Sequence, residues 1–230
     1  MIEKYLVKKI TEPVDWKVTV PGSKSMTNRA LLMAVLSAGT VRVEGVLFSD
    51  DSRHFLACLV ALGFTVEIEE EKKCVTVTGC GGRIPRGEAV IDVGSAGTAA
   101  RFLAAMLGFS DGCYEIRCSA QMKRRPMAEL FDLLSGAGAK ITFLEEEGHL
   151  PVRITGCRYA RADKTAGETP RELSLDITKS TQFLSALLLI APMVPEGMKI
   201  HITSEKTDGS YIRITRKMMQ EFGVSVAFDG

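Results

Sequence analysis

An internal repeat restricts the fold of this chain more than any other feature: one layout of parts runs through it three times at low identity. Each copy has a Ser/Thr/Gly-rich lead-in, an apolar helix, a strand, a second lead-in, an amphipathic helix stopped by glycine, and a further strand. In the first copy, Gly22-Ser23-Lys24-Ser25-Met26-Thr27-Asn28-Arg29 leads into a helix over Ala30 to Leu36, and Ser49-Asp50-Asp51 caps a second helix over Phe55 to Leu62. In the second, Gly94-Ser95-Ala96-Gly97-Thr98 opens Ala99 to Leu107, and Arg125-Pro126 opens Met127 to Leu134. In the third, Thr178-Lys179-Ser180-Thr181-Gln182 opens Phe183 to Ile190, Asp208-Gly209-Ser210 opens Tyr211 to Phe222, and Val224 to Phe228 is the expected last strand. Three matching closures, Leu62-Gly63-Phe64-Thr65-Val66, Ala137-Gly138-Ala139-Lys140-Ile141 and Phe222-Gly223-Val224-Ser225-Val226, set the period. The reading is an α/β domain of pseudo-threefold design with its very apolar first helices packed inside.

The helix lead-ins also gather charge. A helix start presents unpaired backbone N–H groups and the positive end of the dipole, which suits a phosphate or carboxylate. Here Lys24 and Arg29 sit at the first start, Arg101 three residues after Thr98 at the second, and Arg125 just before Pro126. The dipole opposes a cation in that position by roughly 0.3 to 1 kcal/mol, so its repeated use calls for a compensating anion. Gly22-Ser23-Lys24-Ser25 is only superficially similar to a Walker A loop, because the required glycines before the lysine are missing. Asp50 and Asp51 stand where a helix cap belongs and read as capping rather than as a metal or acid/base pair. Tyr211 reads equally well as a half-buried core aromatic.

Composition narrows the remaining classes. Lysine plus arginine (29) nearly cancel aspartate plus glutamate (28), which argues against a general nucleic-acid or membrane-surface binder. The longest apolar stretch, Phe183 to Val194, is too short to span a bilayer, and Met1 to Ile10 has no signal-peptide run, so a cytoplasmic protein is expected. Six cysteines without a CxxC pair and three scattered histidines point away from disulfides and zinc.

Two long motifs, Pro21-Gly22-Ser23-Lys24-Ser25-Met26-Thr27-Asn28-Arg29-Ala30-Leu31-Leu32 and Gly94-Ser95-Ala96-Gly97-Thr98-Ala99-Ala100-Arg101, resemble signatures of the EPSP synthase family. Ser49-Asp50-Asp51 with Arg53-His54, Arg125-Pro126-Met127, and Ser180-Thr181-Gln182-Phe183-Leu184 before Ala191-Pro192 extend the similarity over essentially the whole chain. The resemblance implies a fold of three βαβαββ units, an inside-out α/β barrel, as the N-terminal member of a two-domain enzyme. It implies enolpyruvyl transfer from phosphoenolpyruvate to the 5-hydroxyl of shikimate 3-phosphate, with protonation of the methylene, attack by the hydroxyl and loss of phosphate. Lys24, Ser25, Arg29, Ser180, Thr181, Gln182 and Tyr211 would hold shikimate 3-phosphate. Lys24, Ser95, Gly97, Thr98, Arg101, Arg125 and Gln182 would surround phosphoenolpyruvate. No metal or organic cofactor is implied.

The departures are specific. Family members often carry asparagine at Ser95, proline at Phe102 and serine at Asp208, which sits in Lys206-Thr207-Asp208-Gly209-Ser210-Tyr211. The family's chain is about twice as long, and its proton-transfer carboxylates belong to the other half, so no catalytic residue is assigned here. The resemblance divides the chain into a leading segment, Met1 to Val20, that would join the C-terminal domain, and residues 21–230 as the shikimate-3-phosphate-binding domain. The chain is expected to be a piece that binds weakly and does not turn over alone. Two other readings stay open: a UDP-N-acetylglucosamine enolpyruvyl transferase, whose usual alanine-lysine-asparagine run differs from Ser23-Lys24-Ser25, and a non-catalytic anion-binding domain.

Overall fold

The computed structural model describes residues 6–157, 170–178, 180–205 and 207–229. Residues 1–5 of the leading segment, Lys179 and Lys206 lie outside the described residues. The first unit comprises α1 (Lys24–Leu36), β1 (Ala38–Glu44), α2 (Asp50–Ala61), β2 (Thr65–Glu69) and β3 (Cys74–Cys80). The second comprises β4 (Glu88–Asp92), α3 (Gly97–Gly108), β5 (Cys113–Arg117), the short α4 (Ala120–Lys123), α5 (Ala128–Gly136), β6 (Lys140–Phe143) and β7 (Val152–Thr155). The third contains β8 (Arg171–Leu175), α6 (Thr181–Ile190), β9 (Met198–Ile202) and α7 (Ser210–Glu221).

Burial follows the apolar patterning. Every residue of α3 is buried, as are Thr27 to Val35 of α1 and Phe183 to Leu187 of α6. Helices with no polar face must lie inside, and α3 packs against both α1 and α6. The outer helices α2, α5 and α7 all stop at a left-handed glycine, Gly63, Gly138 or Gly223, as the three closures predict. Among the described residues no helix is long and apolar enough to cross a membrane.

The sheets repeat one pattern to different extents. The second unit has the order β4-β5-β7-β6, with β4 and β5 parallel and the other pairs antiparallel. The first sheet, β1-β3-β2, matches its last three positions; the third, β8-β9, matches its parallel first two.

Two expectations need correction. Val224 to Phe228 is not a strand. In the first two sheets the strand after the glycine stop pairs only with the strand that follows it, β3 or β7, and never with the strand before. Among the described residues the third sheet holds only β8 and β9, so residues 224–228 have no inner partner there to pair with. The first helix also begins earlier than its apolar run: the Ser23 side chain accepts from the Met26 N–H at 3.4 Å, which makes Lys24 the first helical residue rather than part of a loop.

One ionic knot ties the third unit to the second. Arg171 on β8 donates to the Ala137 carbonyl at the end of α5 (2.5 Å) and to Glu196 Oε1 (3.1 Å), and its guanidinium lies 5.6 Å from the Phe109 ring centre. Arg171 and Glu196 are each only 13% exposed, so water cannot replace the lost partner. Arg171→Met is expected to destabilise the fold by about 3 kcal/mol. Urea unfolding measures it, and an unchanged midpoint would remove this tie from the account.

Candidate functional site

The starts of α1, α3, α6 and α7 lie side by side, and buried arginines join them. Arg29 is 2% exposed. Its Nη1 donates to the Ser25 carbonyl in the first turn of α1 (2.9 Å), Nε to Thr215 Oγ1 on α7 (2.7 Å) and Nη2 to Ser185 Oγ on α6 (3.1 Å). The guanidinium lies against two rings, 5.2 Å from the Phe102 centre on α3 and 5.6 Å from that of Tyr211 on α7. Four helices thus meet at one cation.

Arg101 makes the neighbouring junction. It is 4% exposed, donates to the Gly97 carbonyl (3.0 Å) and to the Pro126 carbonyl (3.4 Å), and lies 5.3 Å from the Phe183 ring centre on α6. Its Nε is buried and has no partner among the described residues. The third guanidinium, that of exposed Arg125, rests on the backbone at the start of α3: a Cβ on Gly97 would sit 2.1 Å from Arg125 Nη1. A side chain at this position would push the Arg125 guanidinium away.

Neither Arg29 nor Arg101 has a carboxylate ion partner among the described residues within salt-bridge distance. Burial pushes both guanidinium groups down to about 10, with Arg125 pushing Arg101 further down and Glu129 opposing that. Both remain charged at neutral pH. Because the folded-state pKa is lowered, burying these charges opposes folding at every pH below about 10, and the opposition is relieved only as pH rises through that value. An anion at this spot would relieve it at neutral pH.

The remaining candidates fall around this pair. Ser180 caps α6 by accepting from the Gln182 N–H (3.2 Å), Thr181 begins that helix, and the Gln182 side-chain oxygen is buried without a hydrogen bond among the described residues. Ser25 and Tyr211 flank Arg29, with Tyr211 49% exposed. Thr98 is buried in the first turn of α3. Two side chains are engaged elsewhere. Lys24 Nζ pairs with Asp51 at 3.1 Å, and the Ser95 hydroxyl meets that of Ser119 at 2.8 Å. Ser49 is the cap of α2, sharing a capping box with Ser52, so Asp51 holds Lys24 as well as favouring the helix start. Asp208 is ion-paired with Arg213 at 2.5 Å, and the Gly209 N–H and then Arg213 hold its carboxylate below the usual range.

Sequence reading missed the groups that hold Arg29. Ser185 and Thr215 are fully buried hydroxyls, and each interrupts a helical apolar stripe, which is the signal that marks them. Asn28, next to Arg29 in sequence, is 0% exposed, and neither of its amide atoms has a hydrogen bond among the described residues.

Thr215→Val keeps the shape and leaves the Arg29 Nε–H unpaired, so a loss of about 1 to 3 kcal/mol is expected in chemical unfolding; no loss would mean that Arg29 is held otherwise. Gly97→Ala should separate stability from site geometry. Alanine at the first position of α3 favours the helix by about 0.4 to 1 kcal/mol, while its Cβ displaces the Arg125 guanidinium. A raised melting temperature with a shifted Arg125 Nε–H resonance is expected; an unmoved resonance contradicts the contact.

Comparison with known proteins fits this geometry. The profile of the family described as EPSP synthase (3-phosphoshikimate 1-carboxyvinyltransferase) matches residues 8–230. A 3-phosphoshikimate 1-carboxyvinyltransferase of a Sulfurovum species is 42% identical over 93% of this chain and 48% of its own length; one of Trichormus variabilis is 37% identical over 94% and 49%. The chain therefore spans about half the length of the curated relatives it matches. The solved EPSP synthase of Acinetobacter baumannii superposes with a TM-score of 0.74 at 26% identity, over 93% of this chain and 45% of that one. The enolpyruvyl transferase NikO of Streptomyces tendae shares the fold at a TM-score of 0.52 and 19% identity, over 80% of this chain and 39% of that one. With its repeated units, its helix-start arginines and a profile match over nearly its whole length, the chain belongs to the EPSP synthase family.

Proposed function

We propose that this chain is the substrate-gripping half of a 3-phosphoshikimate 1-carboxyvinyltransferase, acting in the cytoplasm on shikimate 3-phosphate and phosphoenolpyruvate. The observation that carries the reading is the pair of buried arginines, Arg29 and Arg101, which meet at helix starts without a carboxylate partner among the described residues. In this reading the ligands supply the missing charge.

Lys24, Ser25, Arg29, Ser180, Thr181, Gln182 and Tyr211 hold the phosphorylated ring, and Lys24, Ser95, Gly97, Thr98, Arg101, Arg125 and Gln182 the enolpyruvyl donor. Two unit negative charges about 4 Å apart near a protein surface repel by roughly 4 kcal/mol. Fixed cations and helix dipoles offset that repulsion before the reaction begins. Arg29 donates three of its five N–H groups to protein acceptors, which locks the plane of the guanidinium. The Gln182 oxygen, buried without a hydrogen bond among the described residues, would accept from a ligand hydroxyl. Groups that move protons on the enolpyruvyl methylene and the attacking hydroxyl come, in this reading, from a second domain. The exposed apolar side chains of Leu6, Val7, Ile10, Val14, Trp16, Val18 and Val20 support a join to that domain through the leading segment.

Calorimetric or NMR titration tests the proposal. Shikimate 3-phosphate is expected to bind the isolated chain and a UDP-sugar is not. Lys24→Ala and Arg125→Ala change exposed side chains and leave the core intact; Lys24→Ala should weaken both ligands, and Arg125→Ala phosphoenolpyruvate, by roughly 1.5 to 3 kcal/mol, tenfold or more. The isolated chain should release no phosphate from the two substrates, and coexpression with the complementary half of a relative should restore release. Preference for the UDP-sugar, or turnover by the chain alone, contradicts the proposal.

A further inference from the structure

We propose that His54, on the second turn of α2, is a positioning residue that sets the start of α3 and so governs the phosphoenolpyruvate side of the pocket selectively. This rests on the functional reading above. The argument begins with the turn between β4 and α3, residues 92–96. The His54 ring lies so close to Gly94 that a Cβ there would be 2.3 to 2.6 Å from three of its ring atoms. Gly94 also has φ +54°, a backbone shape that side chains resist. The turn is therefore built around the imidazole.

Hydrogen bonds fix the same turn from several directions. The Asp92 carbonyl faces both His54 Nδ1 (3.3 Å) and Cys58 Sγ (3.3 Å), one helical turn apart on α2. Burial pushes the Cys58 thiol up to about 12, so it stays protonated and donates; His54 donates in its Nδ1-protonated form. Asp92 Oδ1 accepts from the Gly94 N–H (2.8 Å), Val93 O from the Ala96 N–H (3.0 Å), and Gly94 O from the Ser119 N–H (3.0 Å). Ser119 caps α4, the short helix that leads to Arg125. A displaced Gly94 would move both ends of the Gly97–Arg125 contact.

The same face of α2 reaches Lys24, which the functional reading assigns to both ligands, by a contact independent of the His54 ring. Asp51, three residues before His54, pairs with Lys24. Removing the His54 ring leaves that pair, and the Ser25–Arg29–Thr215 contacts, in place. A selective loss is the consequence.

The test compares wild type, His54→Ala and His54→Phe; the phenyl ring keeps the packing on Gly94 and loses the bond to Asp92. Without ligand, His54→Ala should speed amide exchange at Gly94, Ala96 and Ser119 about tenfold, and His54→Phe should restore most of the protection. With each ligand added separately, His54→Ala should weaken phosphoenolpyruvate, followed at the Gly97 and Thr98 amides, by about tenfold. Shikimate 3-phosphate, followed at the Arg29 Nε–H, should change less than twofold. Equal weakening of both ligands, or of neither, overturns the proposal. If wild type binds neither ligand at millimolar concentration, the functional reading fails separately. Exchange then still decides the positioning role, and unaltered protection in His54→Ala overturns it.

Discussion

The structure turns on how two guanidinium groups are kept charged inside a protein. Arg29 and Arg101 are nearly inaccessible to water, and their surroundings supply carbonyls, hydroxyls and ring faces. Hydrogen bonds and π faces replace part of the lost hydration but bring no net negative charge. A cost of this kind persists only where the surrounding fold over-determines it, and here four helix starts do so. The energetic consequence is a buried pair of uncompensated charges, and an anion bound beside them would meet groups already oriented.

The repeat explains why the helix starts meet at all. Each unit places one apolar helix inside and stops the next at a left-handed glycine, so like ends of equivalent elements point the same way. Pseudo-threefold packing then brings the N-termini of α1, α3 and α6 to one end of the core. The outer helices contribute brackets rather than bulk. Asp51 on α2 holds Lys24, and Thr215 on α7 holds Arg29.

Much of this was legible in the chain itself, for identifiable reasons. Glycine stops at 63, 138 and 223 are local signals, and so are the uninterrupted apolar runs that became buried helices. What stayed hidden was non-local. Arg29 reads as a helix-start cation, and its burial shows only once Ser185 and Thr215 arrive from 156 and 186 residues away. Residues 224–228 alternate like a strand, but a strand is defined by its partner, and sheet order cannot be read from alternation. Asp50 and Asp51 read as the cap of α2, but Ser49 is the cap; Asp51 lies in the first turn, and its pairing with Lys24 depends on α1 lying beside it.

A crystal structure of the chain with shikimate 3-phosphate tests the central claim most directly. The account predicts ligand phosphate or hydroxyl oxygens within hydrogen-bond distance, about 2.7 to 3.2 Å, of Lys24 Nζ and of N–H groups at the α1 and α6 starts, with the Arg29 contacts to Ser25, Ser185 and Thr215 unbroken. A ligand bound away from these helix starts, with neither Arg29 nor Arg101 gaining an anion within salt-bridge distance, would contradict it.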